Sequence, residues 1–129
     1  MLLHLSPSRV ISDFQEEFNQ MYPYLKIEFY EKTGSGAGKI HLSHALTLKH
    51  AGLRHPGTID LSNTMTVAEL EKKLKDEFSL SAQVCRKSGT LWLETSFTDN
   101  WTLGRQNDHG KELSETRTIT RNEDEIDYN

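Results

Sequence analysis

Met65–Gly89, MTVAELEKKLKDEFSLSAQVCRKSG, is the stretch from which the fold can be read. Val67, Leu70, Leu74 and Phe78 recur at three- and four-residue spacing and form one stripe of an amphipathic helix. Ser81–Lys87 then alternates, as a strand does. Ile11–Gly34, ISDFQEEFNQMYPYLKIEFYEKTG, reads as a second copy. Its apolar residues Ile11, Phe14, Phe18 and Tyr22 keep the same spacing, and both stretches close on a basic residue, a hydroxyl and glycine. Counting back from Gly34 and Gly89 pairs Leu25 with Leu80, Ile27 with Ala82, and Phe29 with Val84. A repeat of this kind constrains architecture more tightly than any single propensity.

Outward from this core, Ser6-Pro7-Ser8 is expected to open the first helix, and Pro23 to stop it. Thr64 or Thr66 is placed to cap the second helix, with Glu69 completing a capping box if Thr66 is the cap residue. Lys87-Ser88-Gly89-Thr90 reads as a hairpin turn, and Leu91–Phe97 as its returning strand. Thr58–Leu61 is a short strand, and Trp101–Asn107 a short helical piece interrupted by Gly104. The predicted fold is α+β: a two-layer sandwich with a four-stranded, mainly antiparallel sheet and two helices on one face. It is built from a duplicated α-β-β unit in a permuted ferredoxin-like order, with a β-grasp-like variant as the alternative. Residues 1–110 form one domain with a loop excursion at 34–57; Ile40–Lys49 alternates like a strand there, yet Ser43 could cap a short helix ending at Gly52, and the helix is favoured. Residues 111–129 carry 3 basic and 6 acidic side chains and read as an acidic tail. Within them Thr116–Arg121 alternates like an edge strand.

The segments TVAELEKKLKDEF, RKSGTLWLETS and DNWTLGRQN, about a third of the chain, resemble a set of small bacterial α+β proteins of unassigned activity. The resemblance implies the α+β fold and carries no activity with it.

A chain of 129 residues, 35% apolar and 26% charged, suits one globular domain with one core. The start, MLLHLSPSRV, lacks the charged and long apolar regions of a signal peptide, and no run is long enough for a membrane span. The lone Cys85 cannot make an internal disulfide, which points to the cytoplasm. A net charge of −4 argues against nucleic acid as the main partner. That charge is unevenly spread. No acidic residue lies between Lys32 and Ile59, where Lys39, Lys49 and Arg54 stand among His41, His44, His50 and His55.

Alternation sends Tyr30, Cys85 and Trp92 to the sheet face away from the helices, if Ile27, Phe29, Ala82, Val84, Leu91 and Leu93 point toward them. An outward Trp92 is a natural interface anchor. The expected function is therefore a non-enzymatic interaction module that binds itself or another protein through this open face.

The alternative is a small metal- or anion-binding enzyme or sensor using the loop residues Lys39, His41, His44, Lys49, Arg54 and His55. Only His41 and His44 have ligand spacing, and no carboxylate or cysteine stands nearby in sequence, so neither a metal nor a cofactor is expected. Gly34–Lys39 resembles a phosphate-cradling loop, but GSGAGKI is one residue short and has Ile40 where Ser or Thr is needed. Cys85 shares its face with Lys87 but has no histidine beside it in sequence, which argues against a nucleophile. No catalytic set emerges.

Overall fold

The computed structural model describes residues 1–31 and 39–127. The glycine-rich loop at 34–38 therefore lies outside the described residues. In chain order the elements are β1 (Leu2–Leu5), α1 (Ile11–Met21), β2 (Leu25–Tyr30), α2 (Leu48–Ala51), β3 (Gly57–Asp60), α3 (Val67–Phe78), β4 (Ser81–Ser88), β5 (Leu91–Glu94) and α4 (Leu103–Asp127). A 3-10 turn at Ser96–Thr98 links the last two. The fold is α+β with antiparallel pairing throughout its sheets.

The strands divide between two sheets, not one of four. β1 pairs with β3, and β2, β4 and β5 lie side by side in that order. The strand at Leu2–Leu5 escapes a local reading because four residues carry too little pattern, and its partner Gly57–Asp60 lies far along the chain. Leu3 and Leu5 face inward while Leu2 is exposed, so the alternation is present but brief.

Both amphipathic stripes are buried as their spacing requires: Ile11, Phe14 and Phe18 on α1, and Val67, Leu70, Leu74 and Phe78 on α3. They meet Leu25, Ile27, Phe29, Leu80 and Val84 in one core with Leu3, Leu5, Leu48 and Leu103. The helix starts differ. Of the two candidate threonines it is Thr66 that caps α3, its hydroxyl accepting the Glu69 N–H at 3.0 Å. Ser6 and Ser8 do not cap α1, which begins only at Ile11. Its first amides bind another segment instead: Ile11 N–H donates to Leu46 O (2.8 Å) and Ser12 N–H to His44 O (3.0 Å). Orphan amides at a helix start must find acceptors somewhere, and here the main chain supplies them.

Matching bonds occur at the second helix. Val67 N–H donates to Trp101 O (3.1 Å) and Ala68 N–H to Asp99 O (2.8 Å). Leu48 N–H binds Arg9 O at 2.8 Å, as Leu103 N–H binds Met65 O at 2.8 Å. The segments supplying these groups read Ala45-Leu-Thr-Leu48 and Asn100-Trp-Thr-Leu103.

The excursion carries its short helix α2, ending at Gly52, whose φ of 123° is one that L side chains avoid. The greatest departure from expectation is the tail. Residues 111–127 form neither an edge strand nor a loose segment but continue α4, which begins at Leu103. Composition reports how little apolar surface a segment can bury. It does not register the local preference of Glu, Leu and Arg for helix, or the start that a docked first turn provides. Leu103 is that anchor, with no exposed surface.

Candidate functional site

The register of the three-stranded sheet fixes which side chains share a face. Ile27 lies opposite Val84, Glu28 opposite Gln83, Phe29 opposite Ala82, Cys85 opposite Glu94, and Lys87 opposite Trp92. Opposed residues point to the same side. Lys26, Glu28, Tyr30, Gln83, Cys85, Lys87, Trp92 and Glu94 therefore occupy the face turned from the core. Side-chain contacts agree. The Lys26 ammonium sits 5.2 Å from the Trp92 ring centroid, and the Tyr30 hydroxyl lies 3.5 Å from Glu94 Oε1.

This face is not open at its centre. Tyr30 and Cys85 are only 4% and 6% exposed, while Trp92 is half-buried. The segment from Lys39 runs along the outer edge of β2, with Glu31 N–H donating to Ile40 O and Leu42 N–H to Phe29 O, each at 2.9 Å. It brings the Lys39 ammonium 5.1 Å from the Tyr30 ring centroid and 3.0 Å from Gln83 Oε1. The His41 ring lies 4.5 Å from that of Tyr30. Burial and the nearby Glu94 push the Tyr30 phenol well above its ordinary value, so it stays a neutral donor.

Glu28, beside Tyr30 on this face, carries a buried carboxylate that none of the candidate sets from the sequence included. Lys26 Nζ lies 3.3 Å from it, His44 Nε2 3.1 Å and His41 Nδ1 3.8 Å. Gln15 Nε2 lies 3.4 Å away. Burial raises the carboxyl pKa, but the His44 and Lys26 hydrogen bonds and charges outweigh it and hold the group below the usual range. A buried charge persists only with such partners. Glu71, also missed, accepts the Val84 N–H at 2.8 Å, and burial keeps its carboxyl above the usual range.

The basic loop is split by the fold. Lys39, His41 and His44 serve the sheet face around Glu28 and Tyr30. Lys49 and Arg54 line a separate cleft of about 650 Å³ with Pro7, Gly52, Leu53 and Ser79. His50 Nδ1 lies 2.9 Å from the Thr47 hydroxyl, and the His55 ring lies 5.9 Å from that of Phe78. Among the described residues no three His, Cys, Asp or Glu side chains are grouped to hold a metal.

Burial pushes the Cys85 thiol up to about 11, against the pull of Lys26. Its thiolate is therefore scarce at neutral pH, which suits a buried, inert side chain better than a nucleophile. Iodoacetamide at pH 8 should alkylate Cys85 about a hundredfold more slowly than it does in the unfolded chain, where the thiol is near its ordinary value. Mass spectrometry over a time course reads this, and native labelling within twofold of the unfolded rate would contradict it.

The surface that sequence reasoning did not single out lies at the sheet's edge. Leu91 and Leu93 share the helix side of the sheet, yet α4 packs on β4 and β2 and leaves them exposed. Their exposures are 59% and 43%, and Phe97 in the following turn is fully exposed at 101%. Alternation directs Leu91 and Leu93 toward the helices, and nothing local signals that no helix reaches them. No helix among the described residues is long and apolar enough to cross a membrane. No family model, curated protein or solved structure matches the chain.

Proposed function

We propose that the chain is a protein-interaction module, acting by self-association, whose docking surface is β5 with the turn that follows it. The observation carrying this reading is Phe97, an aromatic ring wholly in solvent beside exposed Leu91 and Leu93. Burying one such ring stabilises a complex by roughly 1.5–3 kcal/mol, and aromatic side chains dominate interface energetics. The half-buried Trp92 on the opposite face of the same strand extends the surface. Tyr30 and Cys85 support it from beneath and do not touch a partner.

The duplicated-unit reading sharpens the point. It is supported by the matched main-chain bonds that tie α2 to α1 and α4 to α3. Leu46 N–H donates to Ser43 O as Trp101 N–H donates to Thr98 O, which aligns Leu42 with Phe97. Leu42 is 8% exposed, whereas Phe97 is fully exposed. The second unit thus displays a side chain whose counterpart is tucked away.

Light scattering over a concentration series tests the reading. The wild type should associate, and Phe97→Asp should weaken association at least tenfold (about 1.4 kcal/mol), with the unfolding midpoint unchanged at concentrations where the wild type is monomeric. A monomer at every concentration, or a dimer indifferent to the change, overturns it. A second reading, anion binding, has one specific support: Lys49 and Arg54 share a cleft that no carboxylate lines among the described residues.

A further inference from the structure

Resting on the self-association reading, we propose the geometry of the contact: two copies join edge to edge through β5, antiparallel, with Leu93 on the two-fold axis. β5 is the last strand in the order β2-β4-β5, and among the described residues no strand lies against its outer edge. Thr95 N–H donates inward to Val84 O at 3.3 Å. Main-chain groups alternate in direction along a strand, so Leu91 and Leu93 also bond toward β4. The N–H and C=O of Trp92 and Glu94 then point outward and lack a ladder partner. Unpaired edge groups of this kind are a template for another strand.

Three two-fold registers bring this edge onto a copy of itself. Centring on Glu94 sets two carboxylates opposite each other, which is unfavourable. Centring on Trp92 leaves the groups of Glu94 facing Thr90 in the hairpin turn, where Gly89 takes φ 66°. Centring on Leu93 places Trp92 opposite the second copy's Glu94, and the reverse, so that four main-chain hydrogen bonds satisfy every outward group. Charge favours the same register. The second copy's Glu94 arrives beside Trp92, whose ring is flanked by Lys26 at 5.2 Å and whose strand neighbour is Lys87. On the other face Leu93 meets its own copy, and Leu91, 59% exposed, packs next to it.

The test uses the full chain. Glu94→Pro removes an N–H that points outward and spares the β4 ladder, which proline tolerates only on such an edge. It should weaken the dimer at least tenfold in the light-scattering series, with circular dichroism unchanged. Leu93→Cys should oxidise to a disulfide-linked dimer, because that position faces itself across the axis, while Leu91→Cys should not. If Glu94→Pro unfolds the protein, the cysteine pair decides alone. A dimer lost in Phe97→Asp but kept in Glu94→Pro, with no preference for crosslinking at 93, overturns edge pairing and leaves the interaction reading standing. A monomer at every concentration overturns both.

Discussion

Phe14→Ala should lower the unfolding free energy by about 3–5 kcal/mol, a large share of what a domain of this size possesses. Phe14 is fully buried on the inner stripe of α1. Its ring meets that of Phe29 edge-on, with centroids 5.5 Å apart and planes at 61°. The Arg9 guanidinium carbon lies 5.5 Å from the same ring. Truncation therefore removes the transfer free energy of the ring and an aromatic contact, and opens a cavity between α1 and β2 that Phe18 and Ile27 are too constrained to fill. Phe14→Leu should recover more than half of the loss. Urea unfolding monitored by circular dichroism measures both, and the midpoint should fall with the slope unchanged. A loss under about 1 kcal/mol for the alanine variant would mean that α1 does not pack on β2 as described.

Gln106→Ala is expected to cost about 2–4 kcal/mol, although it removes a polar side chain. Gln106 has no exposed surface. Its amide donates to Thr98 O at 2.6 Å and to the Thr98 hydroxyl at 2.8 Å, and its carbonyl accepts from Arg86 Nη1 at 2.8 Å. Arg86 points to the core side of β4, where burial lowers its pKa, and among the described residues its buried Nε has no hydrogen-bond partner. Removing Gln106 deprives Arg86 Nη1 and the Thr98 carbonyl of their hydrogen bonds in a partly buried site, and the loss of these bonds, one of them to a charged group, accounts for the effect. The double variant Arg86→Met, Gln106→Leu should recover part of the loss, since a buried charge and its partner are often replaceable together. If the double variant is as unstable as the sum of its parts, the two side chains are not coupled, and the account fails.

Both variants lie in parts of the molecule with very different legibility. Phe14 could be assigned to the core from its place between Ile11 and Phe18, because the helical period is a property of the local backbone. Gln106 could not, because nothing in its neighbourhood announces that Arg86 and Thr98 will converge on it. The same division runs through the candidate site. Alternation placed Tyr30, Cys85 and Trp92 on one face correctly as to direction, since successive side chains in any strand point to opposite sides. It misjudged exposure, because the cover over Tyr30 comes from Lys39 and His41, which reach it from the far side of a loop.

The amino-acid order by itself determined the two helices, the direction of every side chain on β2 and β4, and a threonine cap for α3, all of which depend on residues within one or two turns of one another. Tertiary structure alone decided that β1 would pair with β3 and that the basic loop would divide between Glu28 and the Lys49–Arg54 cleft. It also decided that Leu91, Leu93 and Phe97 would stand in solvent. Periodicity fixes where a side chain points, but burial depends on which distant segment arrives to cover it, and at the outer edge of β5 no described segment does.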